Sequence, residues 1–269
     1  MNRGSGPSTA QNALASVGGT AIAEACTYPA CTAFTRLIAS GTRDQGASFI
    51  SVLRTMRKEG VASFYRGAPV AVTNQVFSSA CKYVLLREAM RHSPLADKLE
   101  TPMQRVAHHG ALAIVSGVAS TTLTHPLDWV KNQLQQNRAV IPQLRAQPPL
   151  LYRGWTKGAL KAGIGGAAWL GLFVSLTEEA KFSPFHAAAV TGLAAPAITG
   201  CLNTLKVRAT IGVSTGESLQ SLVRARGWAN GSWRWTRNAY QGNAVNILRV
   251  WPHFVIAMTC TEWIRHRQQ

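Results

Sequence analysis

Tyr65-Arg66-Gly67, Tyr152-Arg153-Gly154 and Tyr240-Gln241-Gly242 are one three-residue word written three times, with first residues 87 and 88 positions apart. A second word precedes each copy: Thr27-Tyr28-Pro29, Thr124-His125-Pro126 and Thr199-Gly200-Cys201. Two unrelated words repeated in the same order make the chain three copies of one unit, and a fixed period of this kind decides the architecture before any local reading does. The units are read as residues 8–100, 101–182 and 183–269.

Composition narrows the class. Apolar residues make up 46% of the 269 and charged residues only 14%, where a soluble domain carries about 25% charged. The net charge of +17 would suit a nucleic-acid binder only if the bases clustered on one face, and here they separate apolar stretches. The short polar start, Met1 to Pro7, does not read as a cleaved signal. Cys26, Cys31, Cys81, Cys201 and Cys260 have no paired spacing and read as small buried side chains.

Each unit holds two apolar segments of about 20 residues, the length that spans a bilayer. The first of each pair covers Ala13–Phe34, Val106–Val130 and Ser183–Leu205, and the second Gly67–Leu86, Gly158–Leu176 and Gly242–Ile264. Their Gly, Ala, Ser and Thr content suits close helix packing in lipid. One set of loops is almost purely basic, with Arg36, Arg43, Arg54, Arg57, Lys58 and Arg66, then Arg138, Arg145 and Arg153, then Arg208, Arg224, Arg226, Arg234 and Arg237. The opposite loops hold Glu88, Asp97, Glu100, Glu178 and Glu179. The basic side is expected to be the non-translocated one.

Threefold helix pairs with these two words resemble the mitochondrial carrier family. The clearest match is Pro126-Leu127-Asp128-Trp129-Val130-Lys131-Asn132-Gln133, which fits the family pattern P-x-[D/E]-x-x-[K/R]-x-[R/Q]. Glu59-Gly60 followed by Phe64-Tyr65-Arg66-Gly67 fits its second pattern. The resemblance covers the whole chain. It implies an all-α membrane protein of six transmembrane helices in three pseudo-symmetric repeats, a barrel around a water-filled cavity. It also implies residence in the mitochondrial inner membrane with the basic loops facing the matrix. Pro29 and Pro126 are expected to kink the odd helices, because proline removes a backbone donor. In the family an acid of one repeat then pairs with a base of the next, closing a matrix gate.

This chain departs from that machinery. The acid positions are Cys31, Asp128 and Asn203 and the base positions Phe34, Lys131 and Lys206, so only Asp128–Lys206 keeps both charges. Lys131 is expected to face Cys31, and Asn203 to face Phe34. The third repeat has lost its proline to Cys201. The interval from Pro126 to Tyr152 is 26 residues, against 36 and 39 in the other repeats, and Pro142, Pro148 and Pro149 fall in it. The second repeat is therefore expected to lack the short surface helix of the family.

Seven residues beyond the Gly of each Tyr-containing word lie Asn74, Lys161 and Arg249, the level at which the resemblance places substrate contacts. Two intramembrane bases there suit a carboxylate or phosphate. Glu24, seven residues before Cys31, should share the inward stripe of the first helix and pair with Lys161 or Arg249. Such a pair would fill the cavity rather than bind a solute. Glu262 and Arg265 fit an opposite gate in the third repeat only. The resemblance also implies bound cardiolipin at the even-helix starts, making Gly67, Gly154 and Gly242 lipid candidates.

Other signals carry less. His108-His109 are adjacent rather than four apart, so one helix cannot present both to a metal, and no metal or other cofactor is expected. Trp228, Trp233 and Trp235 among arginines read as an interfacial belt rather than a nucleic-acid strip. No catalytic constellation is present, so the chain does not read as an enzyme. The worn gate points first to a transport-impaired accessory subunit of a larger inner-membrane assembly, such as a respiratory complex. The alternative is an active carrier exchanging a small anionic metabolite through Lys161 and Arg249.

Overall fold

A computed structural model describes residues 9–40, 48–93, 101–214, 216 and 243–268. The described residues form α1 (Thr9–Ser40), α2 (Phe49–Lys58), α3 (Ala68–Arg91), α4 (Pro102–Gln135), α5 (Val140–Ala146), α6 (Trp155–Val174), α7 (Pro184–Thr210) and α8 (Asn243–Gln268). Tight helical turns, Val61–Tyr65 and Pro148–Tyr152, lead into α3 and α6. The six long helices close into a ring in chain order, with α8 packed back on α1, and α1, α4 and α7 also touch one another.

The ring is polar within and apolar without. Thr20, Thr32, Ser120, Thr191, Asn203 and Thr204 are buried, while Leu14, Val115, Leu123, Leu160, Leu193 and Leu248 are exposed. Water would penalise that arrangement; lipid around the ring favours it, because each helix satisfies its own backbone. The chain is an all-α membrane protein. By length and composition alone, Met103–Gln135, Pro148–Thr177 and Phe185–Thr210 qualify as spans.

The repeated words mark where the repeats join. Gly67 and Gly154 cap α3 and α6, each in the left-handed region at φ +83. Tyr28 Oη donates to the Arg66 carbonyl at 2.7 Å, and His125 Nε2–H donates to the Arg153 carbonyl at 3.1 Å. The residue before each proline thus pins the entry to the even helix of its own repeat. Gly200 occupies that position in the third repeat, and the Asn243 side chain fills the space a larger residue would take.

Each capping glycine also abuts the next repeat. A Cβ at Gly67 would lie 3.0 Å from Leu134 Cβ on α4 and 3.0 Å from Tyr28 Oη. Gly67→Ala is expected to cost at least the ~1–2 kcal/mol of left-handed strain, with the contact cost added. Gly60→Ala, at φ +93 with nothing within 4 Å, supplies the strain alone. Thermal unfolding of the purified protein should rank Gly67→Ala as the more damaging; equal shifts would remove the packing role.

Two expectations need correction. The second repeat does carry a surface helix, the seven-residue α5, shorter than the ten-residue α2. Pro142 falls in its first turn, where no intrahelical donor is required, and Pro148 and Pro149 open the tight turn that follows. The third odd helix does contain a proline: Pro196 lies inside α7, five residues before Cys201. Pro29 and Pro126 lie inside α1 and α4, both of which run on past them.

Candidate functional site

The side chains with chemistry gather where α1, α4 and α7 converge. Asp128 and Lys131 are one turn apart on α4, so they share a face yet can serve different neighbours. Lys206 Nζ on α7 lies 2.7 Å from Asp128 Oδ2, and Asn132 Nδ2 donates to the same oxygen at 3.4 Å. Both charges of the pair are largely shielded, so loss of either partner would leave a costly buried charge.

Lys131 finds a carboxylate where none was expected. Its Nζ lies 3.1 Å from Glu24 Oε1 on α1, and both side chains are buried. Glu24 therefore does not pair with Lys161 or Arg249. α1 and α4 are both odd helices, and a helical side chain leans toward its own N-terminus, so the flexible lysine stem reaches back toward Glu24. An acid two turns before Cys31 takes over the contact that Cys31 cannot make.

The α7–α1 side is closed by apolar packing. Phe34 shares a buried cluster with Ala33, Leu37, Ile38, Val207 and Val245, sealed by Met56 of α2. Asn203, expected opposite Phe34, instead accepts a hydrogen bond from Lys161 Nζ at 2.5 Å. The three odd helices are thus joined by two ion pairs and one apolar contact.

Hydrogen bonds tie the same helix ends together. Arg36 Nε donates to the Gln135 carbonyl at 2.7 Å and Gln133 Nε2 to the Thr210 carbonyl at 3.0 Å. Arg138 Nη1 donates to the Ile211 carbonyl and Arg153 Nη2 to the Gly212 carbonyl, both at 3.0 Å. The last carbonyls of a helix lack internal donors, so these side chains satisfy groups that burial would otherwise penalise.

Lys161 lies within electrostatic reach of Arg249, Lys206, Asp128 and Lys82, and Arg249 within reach of Glu24 and Asp128. Arg249 Nη1 donates to Cys31 Sγ at 3.0 Å, and Gln135 Nε2 approaches the same sulfur at 3.4 Å. Among the described residues neither Lys161 nor Arg249 has a carboxylate within ion-pair distance. Asn74 is buried on α3 with its Oδ1 unbonded. Gly242 lies outside the described residues; Glu262 and Arg265 lie on α8, but their side chains are outside the described part.

Sequence reasoning missed three groups here. His253 lies beside Glu24, its Nδ1 3.7 Å from Oε2. Its four-residue step from Arg249 puts it on the same face of α8. Lys82 stands eight residues beyond Asn74, again on one stripe. Trp169 of α6 stacks on Phe254 of α8 at 5.9 Å, reaching past α7, where Gly192 leaves room for the phenylalanine. Their signal was helical spacing from residues already singled out.

Against known proteins, a family model described as "Mitochondrial carrier protein" matches residues 5–94. Across nearly the whole chain, a mitochondrial carrier-like protein of Acanthamoeba polyphaga mimivirus is 27% identical, over 92% of this chain and 93% of its own length. The first third of the chain thus matches the carrier family model, and nearly the whole chain is similar to a carrier-like protein. Shorter matches run to other carriers. The mitochondrial thiamine pyrophosphate carrier 1 of Aspergillus niger is 32% identical over 48% of this chain and 39% of its own length. The mitochondrial glycine transporter of Chaetomium globosum is 31% identical over 34% of this chain and 30% of its own length. That similarity fits the threefold words and the ring of helix pairs. It does not by itself account for the Glu24–Lys131 pair, which forms where Cys31 holds the position of the pattern's acid.

Proposed function

We propose that this carrier works as a transporter in the mitochondrial inner membrane and moves a small anion, a carboxylate or a phosphate compound. All six long helices cross the bilayer in this reading, with α2 and α5 on the matrix side beside the basic loops. The observation that carries it is the pair Lys161 and Arg249. They are two neighbouring bases on helices facing the ring interior, and among the described residues neither has a carboxylate within ion-pair distance. Unneutralised charge inside a membrane protein is costly, and a transported anion is what would offset it. Anionic lipid such as cardiolipin is held at the even-helix starts capped by Gly67 and Gly154, whose first amides point out of the helix.

Glu24 supports transport over a purely structural role. A worn gate was the reason to read the chain as an accessory subunit, and the Glu24–Lys131 pair supplies a second ion pair that can break and reform. The relatives are named as carriers or transporters, and none is named as a subunit of a complex. The thiamine pyrophosphate named for one relative is a diphosphate, which suits two bases better than the glycine named for another.

Exchange assays in liposomes test the reading, with thiamine pyrophosphate, ATP, malate and glycine offered in turn. At least one anion should exchange, and Arg249→Ala should slow that exchange at least tenfold (about 1.4 kcal/mol or more of lost interaction). No exchange with any solute, together with migration only inside a larger complex on native gels, would return the accessory role.

A further inference from the structure

Asn203 stands at the third acid position of the repeated pattern, and the folded chain gives it a partner that the pattern does not. It is buried on α7 and accepts a hydrogen bond from Lys161 Nζ of α6 at 2.5 Å. A lysine ammonium only donates, so the amide oxygen is the atom that meets it. A side-chain amide carries no charge, so Lys161 is held in place while its charge is left uncancelled. At the first acid position a base of the anion site is tied as well: Arg249 Nη1 donates to Cys31 Sγ at 3.0 Å. Both bases of the proposed site are therefore anchored on residues that stand where the pattern has carboxylates.

The nearby acids are already taken, Glu24 by Lys131 and Asp128 by Lys206. Lys161 has Arg249 and Lys82 within electrostatic reach. Among the described residues none of these three bases has a carboxylate within ion-pair distance. Intramembrane charge is costly, and an arriving anion removes the cost in proportion to the charge it brings. A monocarboxylate answers one base, whereas a diphosphate or triphosphate can answer two or three. Exchanging a neutral amide oxygen for a phosphate oxygen also trades an ordinary hydrogen bond for a charge-assisted one. A carboxylate at position 203 would reverse that preference. Lys206, one turn further along α7, is paired with Asp128, so such an acid would be left to Lys161.

Resting on the transport reading above, we propose that Asn203 sets the charge of the solute. As an uncharged tether for Lys161 it keeps three bases open, and the anion they select is multiply charged, a diphosphate or triphosphate rather than a monocarboxylate. Asn203 acts through Lys161 and is a positioning residue. Lys161 leaves the amide for a phosphate oxygen when the anion enters and returns to it when the anion leaves, with no covalent bond made or broken.

The test is Asn203→Asp, which replaces one amino group by oxygen and keeps the shape. Full-length protein in detergent is titrated with ATP, thiamine pyrophosphate and pyruvate, read as the rise in unfolding temperature, and exchange of the same solutes is measured in liposomes. Wild type should be stabilised by the two phosphate compounds and much less by pyruvate; equal effects overturn the proposal without any variant. In Asn203→Asp the KM for ATP exchange should rise about tenfold or more, while the saturated rate stays within about threefold of wild type. The same variant without ligand should unfold at or above the wild-type temperature, because Lys161 gains a carboxylate. Asn203→Ala removes the hydrogen bond and adds no charge, so its KM should rise no more than about threefold. A wild-type KM in Asn203→Asp, a lowered unfolding temperature, or an alanine variant as impaired as the aspartate one each overturns the proposal. Wild-type protein that neither binds nor exchanges any of the three fails before a substitution is made, and that result overturns the transport reading itself.

Discussion

Glu24→Gln is expected to destabilise the protein by about 3–5 kcal/mol, the cost of removing one partner of a buried ion pair. The substitution keeps shape and volume while leaving Lys131 without its carboxylate, 3.1 Å away in the native protein. Thermal unfolding in detergent should show a fall comparable to that of Asp128→Asn, which strands Lys206 in the same way. A second substitution separates charge from packing. Exchanging the two residues, Glu24→Lys with Lys131→Glu, should recover much of the loss because attraction survives the exchange of sign. Supplying an acid at the family's own position, Cys31→Asp in the Glu24→Gln background, should also recover part of it. If Glu24→Gln unfolds within a degree of wild type, Glu24 is not holding α1 to α4.

Gly19→Val should be the most damaging packing change at the α1–α8 contact. A Cβ at Gly19 would stand 2.6 Å from the Ala257 carbonyl oxygen and 2.9 Å from the Thr261 nitrogen. Both are backbone atoms of α8, so no rotation of a side chain relieves them and the helices must part. Parting would also strain the hydrogen bond from Thr261 Oγ1 to the Ala15 carbonyl, 3.4 Å long. Overpacking costs about 1–3 kcal/mol where a core can adjust, and two rigid helix backbones adjust less. Size-exclusion profiles should show most of the variant lost to aggregate, with a lowered unfolding temperature for what remains. Gly110→Ala is the control: its Cβ would meet only Ala167 Cβ at 3.9 Å, so that protein should behave as wild type. Equal tolerance of both changes would show that α1 and α8 can separate freely.

Much of the fold was legible because its signals are local. The proline word marks the last third of each of the first two odd helices, and a tyrosine followed by a left-handed glycine writes the start of the next long helix. Those words located the long helices to within a few residues at most ends. Local rules also misled. Three prolines argued against a helix before Tyr152, yet one of them sits where a helix tolerates it. Pro196 lies five residues before the position held by Cys201, outside the register of the Thr-x-Pro word.

The site was legible as a set of residues and not as a set of pairs. Asp128, Lys131, Lys206, Lys161, Arg249 and Glu24 could each be named from spacing alone. Alignment by position matched Lys131 with Cys31, whereas the folded chain matches it with Glu24. His253 went unnamed because a histidine in an apolar run has no partner until α1 is brought against α8.

By itself, then, the sequence determined that there are three repeats, which residues begin the helices, and which charges must share the interior. Those properties depend on neighbours a few positions away, and the chain carries them before it folds. Only the tertiary structure decided which acid meets which base, because that depends on how far a lysine stem leans along its helix and on which helices the ring sets side by side. The substitution of Cys31 for an acid removed one contact from the pattern. The packing of α1 against α4 supplied another, from a residue two turns away.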